Sequence, residues 1–203
     1  MLTRQAFSAS LILENVSVFR GSRMVLQNFS LDAGSGDIVW IRGSNGSGKS
    51  TLLRLIAGLL PKASGEMKVK GAIALADENL ALDVNLPLAK ALNIWSGMDG
   101  AAADLRHATL VAMDLVPLAD MPIRYLSTGQ RKRAGLKRML ASNAAIWLLD
   151  EPYNGLDSAS STRLDAAILR HSNSGGIALV AAHQAPSINV AQSVLLDRQS
   201  QAA

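Results

Sequence analysis

Hydrophobic and polar positions alternate along the first part of the chain, as they do in half-buried strands. Residues 11–31 (LILENVSVFRGSRMVLQNFSL) alternate around the turn-like RGSR, which predicts a β-hairpin. Residues 37–42 (DIVWIR) are typical of a buried strand, and residues 49–60 (KSTLLRLIAGLL) then have helical period up to Pro61. Residues 65–76 (GEMKVKGAIALA) indicate further short strands.

The pattern becomes helical over residues 79–125, which are rich in alanine and leucine, and we expect an inserted helical lobe there. Residues 129–140 (GQRKRAGLKRML) predict a strongly basic helix, whereas residues 144–150 (AAIWLLD) and 176–183 (GIALVAAH) are typical of buried parallel strands. Strands that alternate with helices predict an α/β fold with a mostly parallel core sheet. We expect one domain over residues 1–203, with an N-terminal antiparallel β subdomain and the inserted lobe.

Composition narrows the class of protein only a little. Hydrophobic residues make up 49% and charged residues 18%, which is typical of a globular chain. The absence of cysteine excludes a disulfide scaffold and a thiolate metal site. No apolar run approaches the roughly 18 residues of a spanning helix, and we expect no secretory signal at the N-terminus. The net charge of +4 fits ordinary solubility, or attraction to an anionic membrane face or to nucleic acid.

A glycine-rich loop between a predicted strand and a predicted helix matches G-x-x-x-x-G-K-[ST]. Its glycines let backbone N–H groups converge on one anion, and the helix that follows adds roughly half a positive charge at its N-terminus. Lys49 can reach the β- and γ-phosphates, and Ser50 can occupy one Mg²⁺ position. The alternative is a glycine-rich turn with an exposed lysine. The expected nucleotide-binding residues are Gly43, Ser44, Asn45, Gly46, Ser47, Gly48, Lys49, Ser50 and Thr51.

Two adjacent carboxylates follow the apolar strand IWLL, at the end of the strand where open α/β sheets place their sites. Asp150 can hold Mg²⁺ through water and so belongs with the nucleotide site, and Glu151 can polarise the attacking water. His183 ends the strand GIALVAAH, which we expect to lie beside the Asp150 strand, so that His183 reaches the γ-phosphate. The alternatives are a solvated strand end and a structural histidine.

Residues 126–130 (LSTGQ) resemble the LSGGQ signature of ABC ATPases. The phosphate loop, LLDEP, an NGLD that resembles the family's D-loop, and a histidine at the H-loop position follow the family's order over nearly the whole chain. The sequence therefore resembles an ABC-type P-loop NTPase. This resemblance implies ATP hydrolysis with Glu151 and His183 as catalytic residues, and ATP and Mg²⁺ as cofactors.

The resemblance also implies a partner, because members of the family pack two copies head-to-tail and bury two ATP molecules between them. The γ-phosphate held by Lys49 of one copy then faces the signature of the other copy. ATP closes this dimer, and hydrolysis releases it. The residues implied to act across the dimer are Ser127, Thr128, Gly129, Gln130 and Asp157.

Two longer stretches, MPIRYLSTGQRKR and AAIWLLDEPYNGLD, look closest to the ATP-binding subunit of the cytochrome c maturation system, a haem exporter. Tyr125 and Trp147 are the residues that fit this subfamily. The resemblance implies a peripheral subunit on the cytoplasmic face of the inner membrane, docked through its helical lobe to membrane permease subunits. Its implied role is to power haem export or handling for c-type cytochromes.

Three other functions remain open at this point. The chain resembles the ATPase subunit of a drug, lipid or peptide exporter in the same motifs. A soluble ABC protein that acts on nucleic acid would require two fused ATPase halves or a long coiled coil, so we expect no nucleic acid partner. A scaffold that binds ATP without hydrolysis is disfavoured because Lys49, Asp150, Glu151 and His183 are all present.

The sequence departs from the family pattern at three places. The glutamine that usually follows the core strands, and that links the site to the membrane partner in the family, is replaced by Asn79 or Glu78, and the shorter amide of Asn79 reaches about one methylene less far. The adenine-stacking aromatic position is taken by Arg20, whose guanidinium plane can stack on a base, with Phe19 beside it as an equal candidate for the core. Thr128 replaces the first glycine of the signature, a position that we expect to be tolerant.

Overall fold

The computed structural model describes residues 7–77, 82–98 and 103–197. The strands are β1 (Ser10–Arg20), β2 (Arg23–Gly34), β3 (Ile38–Arg42), β4 (Ser64–Lys70), β5 (Ile73–Ala76), β6 (Ile146–Asp150), β7 (Ile177–Ala181) and β8 (Gln192–Leu195). The helices are α1 (Lys49–Ile56), α2 (Leu88–Met98), α3 (Ala103–Ala112), α4 (Thr128–Ala141) and α5 (Ser158–Asn173), with 3₁₀ turns at Val116–Leu118 and Ile123–Tyr125.

The predicted N-terminal hairpin is confirmed. β1 pairs antiparallel with β2, so that Arg20 lies opposite Arg23 beside the turn. β4 pairs antiparallel with the other edge of β1 and completes a three-stranded sheet in the order β2-β1-β4. Leu11 and Leu13 on β1 are fully buried while Ile12 between them is not, which is the alternation expected of a sheet with one face on the core.

The predicted parallel core sheet is also confirmed. Its five strands follow the order β5-β6-β7-β3-β8, and every neighbouring pair is parallel. β7 lies between β6 and β3, as expected for the strand that leads to His183. Because parallel strands end at the same edge of a sheet, the segments that follow β3, β6 and β7 meet there.

The core sheet is buried on both faces, as parallel sheets are. Trp147 and Leu149 on β6 pack into a hydrophobic cluster with α4, α5 and the helical lobe. Ile146 and Leu148, which point the other way, pack into a second cluster with α1 and the antiparallel sheet. The continuous apolar sequence of β6 therefore follows from burial on two sides rather than one.

Helix α1 is shorter than predicted, and the expected extension to Pro61 is wrong. α1 ends at Ile56 because Gly58 adopts a left-handed conformation with φ of 74°. Its N–H donates to the carbonyl of Leu55, and the N–H of Leu59 donates to that of Arg54, so that the last turn closes on itself. The prediction failed because the helical spacing of apolar residues in LIAGLL continues beyond Gly58, where the helix has already ended.

A helical lobe is present as expected, and α4 packs against it. Leu92 of α2, Met113 after α3 and Leu136 of α4 are all buried in the same cluster. Asn79 and Glu78 lie outside the described residues. Within the described ranges, no helix is long and apolar enough to cross a membrane.

An aromatic stack closes the other end of the core sheet, where β6 and β7 begin. The ring of His171 on α5 is fully buried and lies parallel to Trp147, with centroids 3.8 Å apart and 4° between the planes. His171 Nε2 lies 3.2 Å from the carbonyl oxygen of Ala145. A Cβ at Gly176 would overlap this ring, so only glycine fits beside it.

Candidate functional site

The loop between β3 and α1 passes too close to its neighbours for side chains at two glycines. Gly43 has φ of 154°, and a Cβ there would overlap the carbonyl oxygen of Leu196. Gly48 has φ of 107°, and a Cβ would lie 2.9 Å from Cγ1 of Val25. Gly48 also precedes α1, whose first turn has no side-chain cap, so that backbone N–H groups at this helix end remain for an anion.

Lys49 points back into the loop that precedes it. Its side chain is 6% exposed, and Nζ donates to the carbonyl oxygens of Gly43 at 2.8 Å and Ser44 at 3.3 Å. Nζ also lies 3.3 Å from Oε1 of Glu151. The ammonium group is therefore at the centre of the loop, where the phosphates of a nucleotide would replace these oxygen partners.

Glu151 occupies a strained backbone position at the end of β6. Its φ is 44°, a left-handed conformation that costs about 1–3 kcal/mol for a residue other than glycine. Its N–H donates to the carbonyl oxygen of Ala181 at 2.8 Å, which continues the pairing of β6 with β7. This turn directs the carboxylate of Glu151 towards Lys49, and brings Oε1 to 3.7 Å from Nε2 of His183.

His183 contacts the phosphate loop directly. Its Nε2 lies 2.6 Å from Oδ1 of Asn45. Together with the ion pair between Lys49 and Glu151, this contact joins the three segments that follow β3, β6 and β7. We call Asn45, Lys49, Glu151 and His183 the sheet-edge cluster.

Asp150 has a more enclosed environment than Glu151. Burial raises the pKa of its carboxyl above the ordinary value, a hydrogen bond with the Ser50 side chain lowers it, and the charge of Glu151 raises it further. Its Oδ1 is buried and accepts no hydrogen bond from any described residue. A hard cation, or water bound to one, would satisfy this oxygen beside the Ser50 hydroxyl, so the pair fits Mg²⁺ chemistry.

The predicted signature residues lie apart from this cluster. Ser127 caps α4: its Oγ accepts from the N–H of Gln130 at 3.2 Å, and Gln130 Oε1 accepts from the N–H of Ser127 at 2.8 Å. Ser127 and Thr128 are exposed. In the described part of the chain, no hydrogen bond or ion pair joins this signature turn (Ser127–Gln130) to the phosphate loop.

The start of α4 nevertheless touches the loop that carries Glu151. A Cβ at Gly129 would lie 2.8 Å from the carbonyl oxygen of Gly155, so the backbones approach within a distance that only glycine permits. Lys132, one turn further along α4, donates through Nζ to the carbonyl oxygen of Asp150 at 3.4 Å. Sequence reasoning missed Lys132, because a lysine in a basic helix carries no signal that separates it from a solvated face.

Asp157 is the N-cap of α5. Its Oδ1 accepts from the N–H of Ser160 at 2.6 Å, and hydrogen bonding to Ser160 lowers the pKa of this exposed carboxyl. The side chain therefore has a structural partner within its own chain, in addition to the role across a dimer that the resemblance implies.

The residues expected near the adenine lie at the exposed end of β1. Arg20 is exposed, and Phe19 is 47% exposed. Phe19 is thus not a core residue, which leaves both side chains available to a base. Asn79, which was predicted to replace the family's glutamine, lies outside the described residues.

Comparison with known proteins identifies the family. The profile of the ABC transporter family matches residues 26–154. A cytochrome c biogenesis ATP-binding export protein, CcmA, from Sphingopyxis alaskensis is 49% identical over 181 residues, which cover 88% of this chain and 92% of that protein. The protein of the same name from Zymomonas mobilis is 50% identical over 178 residues, which cover 87% of this chain and 80% of that protein.

A solved ATP-binding subunit of an ABC transporter has the same fold. It superposes with a TM-score of 0.78 at 21% identity, over 86% of this chain and 79% of that one. The family profile and the two curated relatives extend over the phosphate loop, the signature turn and the carboxylates. The chain belongs to the ABC transporter family of ATP-binding proteins, among the cytochrome c biogenesis ATP-binding export proteins.

Proposed function

We propose that this chain is the ATP-hydrolysing subunit of an ABC export complex that powers haem export or handling for the biogenesis of c-type cytochromes. The observation that carries the ATPase part is the sheet-edge cluster, in which Lys49, Glu151 and His183 converge on one phosphate loop. The cytochrome c part rests on relatives of 49% and 50% identity that bear this name. These relatives favour it over a drug, lipid or peptide exporter.

In the proposed reaction, a water molecule attacks the γ-phosphorus of ATP and the bond to the β–γ bridging oxygen breaks. Lys49 gives up its loop carbonyl partners and donates instead to the β- and γ-phosphate oxygens. The backbone N–H groups of residues 43–51 donate to the phosphates as well. Glu151 then loses its ion pair with Lys49, and its carboxylate accepts a hydrogen bond and a proton from the water. His183 donates to a γ-phosphate oxygen, and ADP and phosphate are the products.

Mg²⁺ would be held by the Ser50 hydroxyl and, through water, by Asp150. When bound, it would neutralise charge on the β- and γ-phosphates. Burial keeps Asp150 apart from bulk water, and its free Oδ1 supports this assignment. Arg20 and Phe19 are the proposed contacts for adenine, and Asn79 is a proposed contact of Mg²⁺.

A second copy of the chain would complete the site. Ser127, Thr128, Gly129 and Gln130 are at the N-terminal end of a 14-residue helix, which is the end that favours anions. Among the described residues, the hydrogen bonds of the Ser127 side chain and N–H go to Gln130 and not to the phosphate loop of their own copy. We propose that these four residues contact the γ-phosphate of the partner, with Asp157 beside them, in an isologous ATP-sandwich dimer.

The helical lobe is the proposed docking face for membrane permease subunits. Large apolar side chains that are exposed concentrate there, and exposed apolar surface favours association. These residues are Val84, Ile94, Val111, Val116 and Met121. The proposed location is peripheral, on the cytoplasmic face of the inner membrane, and residues 1–203 are proposed to form one ATPase domain.

The test is a haem stain of periplasmic and membrane proteins in three strains. One has the gene deleted, one carries the deletion and the wild-type gene, and one carries the deletion and Lys49→Ala. We expect the deletion to lose all c-type cytochromes, the wild-type gene to restore them and Lys49→Ala to fail. Normal cytochromes in a deletion strain without a duplicate system would remove the haem assignment and leave the ATPase assignment standing.

A further inference from the structure

The loop between β6 and α5 is anchored by a pair of side chains that the proposed mechanism does not use. The hydroxyl of Tyr153 donates to Oδ1 of Asp165 at 2.5 Å. Asp165 lies on α5, is 8% exposed, and has no other hydrogen-bond donor among the described residues. Burial and the hydrogen bond with Asp165 raise the pKa of Tyr153, so its hydroxyl stays protonated and remains a donor at physiological pH.

Tyr153 is two residues away from Glu151, whose backbone conformation is strained. Glu151 has φ of 44°, and a non-glycine residue keeps such a conformation only where its surroundings hold it. Two backbone hydrogen bonds shape the turn, from Asn154 N–H to the carbonyl of Glu151 at 3.3 Å and from Leu156 N–H to that of Tyr153 at 3.1 Å. Both lie within the loop, so neither fixes the loop to the rest of the fold.

Two of the loop's attachments to the rest of the fold come from opposite sides. On the sheet side, Glu151 N–H donates to the carbonyl of Ala181. On the helix side, the ring of Tyr153 packs against the core cluster and its hydroxyl reaches α5. A hydroxyl bound to a buried carboxylate fixes direction as well as distance, which the packing of an aromatic ring alone does not.

We propose that Tyr153, held by Asp165, is a positioning residue that keeps Glu151 aimed at the γ-phosphate site. The inference rests on the proposed function, because it takes Glu151 as the group that activates water. Loss of the hydroxyl leaves the phosphate loop intact, so nucleotide binding persists. The carboxylate of Glu151 then samples positions away from the attacking water, and only the chemical step slows.

The experiment compares purified wild type with Tyr153→Phe, which removes one oxygen atom. The control is Tyr125→Phe, since Tyr125 is the only other tyrosine in the sequence and is 65% exposed. We expect kcat for ATP hydrolysis to fall about 5- to 50-fold in Tyr153→Phe, because small misplacements of a reacting group have costs of this order. KM for ATP should stay within about twofold, and Tyr125→Phe should match wild type in both.

Two further variants separate positioning from a loss of structure. Asp165→Asn removes the charge that holds the Tyr153 hydroxyl, so it should also lower kcat without changing KM. If Tyr153→Phe fails to fold, Asp165→Asn takes its place in the comparison. Glu151→Gln/Tyr153→Phe should hydrolyse ATP no more slowly than Glu151→Gln alone, because the tyrosine acts through Glu151. A further multiplicative loss in the double variant overturns the proposal.

The remaining outcomes are also decisive. If folded Tyr153→Phe keeps kcat within twofold of wild type, the positioning role is wrong. If kcat falls only in proportion to the unfolded fraction measured by thermal melting, the pair is structural and the proposal is overturned. Hydrolysis near the wild-type rate in Glu151→Gln would instead refute the assignment of the base in the proposed function, a result that Tyr153→Phe alone does not produce.

Discussion

The sheet-edge cluster and the signature turn lie in one chain but differ in how complete they are. In the cluster, Lys49, Glu151 and His183 come from three segments, and Glu151 contacts the other two across the ends of parallel strands. In the signature turn, the Ser127 and Gln130 side chains bond to each other's backbone and to no other described residue, at the exposed end of one helix. The core sheet positions the residues of the cluster, whereas the capping box of α4 holds the signature turn.

This difference indicates which half of the reaction each region can perform alone. In the proposed function, Lys49 of the cluster binds the phosphates and Glu151 activates water, so one chain is expected to bind ATP and to position the attacking water. Within the described residues, the signature turn makes no hydrogen bond to the phosphate loop of its own chain. In the proposed dimer its contribution depends on a second copy, and variants in the two regions should therefore fail in different ways.

The largest effect is expected from Glu151→Gln in the sheet-edge cluster. Gln keeps the shape of the side chain but cannot accept the proton of the attacking water, so hydrolysis should fall by about 10²–10⁴. ATP binding should persist, and the variant should run as a dimer with ATP on a sizing column. Lys49→Ala is the contrasting variant, because it should lose nucleotide binding and stay monomeric. A monomeric Glu151→Gln at saturating ATP would contradict the comparison.

A substitution in the signature turn should act on the dimer. Gly129→Ala places a Cβ 2.8 Å from the carbonyl of Gly155, so the start of α4 must shift. We expect ATPase activity at high protein concentration to fall about 10- to 100-fold, while binding of a fluorescent ATP analogue to the monomer is unchanged. Thr128→Ala is the control and should stay near wild type. Equal losses of ATPase activity in Gly129→Ala and Thr128→Ala would show that the close approach of Gly129 to Gly155 is not the cause.

The buried face of α4 provides a prediction about stability. Lys137 is 1% exposed, and burial, helped by the charge of Arg106, lowers its pKa from 10.5 to about 8. Between these values the unfolded chain binds more protons, so the free energy of unfolding should rise with pH from about 8 to 10.5. Lys137→Met should raise the free energy of unfolding at pH 7 by about 1–3 kcal/mol and remove this rise.

Urea unfolding at pH 7 and pH 10 measures both effects. The exposed Lys90, on α2, provides the control, because Lys90→Met should change neither the stability at pH 7 nor its dependence on pH. Destabilisation by Lys137→Met would mean that the ammonium group makes a favourable interaction that outweighs its desolvation.

The last effect concerns the proposed adenine contacts at the exposed end of β1. Phe19→Ala and Arg20→Ala should be compared for ATP affinity by equilibrium titration. Loss of a stacking side chain costs about 1–3 kcal/mol, which corresponds to roughly 5- to 150-fold in Kd. We expect one of the two variants to show such a loss while the other stays within about twofold. If neither changes the Kd, neither side chain stacks on the base.

The sequence indicated which segments meet at the sheet edge that carries the cluster, because each of them follows a strand. Continuous apolar runs placed Asp150, Glu151 and His183 at the ends of buried strands, and parallel pairing of β6 with β7 then brought those ends together. The end of α1 was predicted wrongly, because periodicity does not register a glycine that turns left-handed. Contacts such as Lys132 with the carbonyl of Asp150, and Tyr153 with Asp165, depend on how helices pack on the sheet. No local pattern carries that information.

The stack of His171 on Trp147, at the opposite end of the sheet from the cluster, constrains how the sequence can diverge. A residue larger than glycine at position 176 would overlap the imidazole. Among homologues, position 176 should therefore vary only where position 171 already carries a smaller side chain. The order of substitutions follows, with the change at 171 first and the change at 176 second. The reverse order would pass through an intermediate with an overfilled core, and that intermediate would be eliminated for poor folding before ATP hydrolysis came under selection.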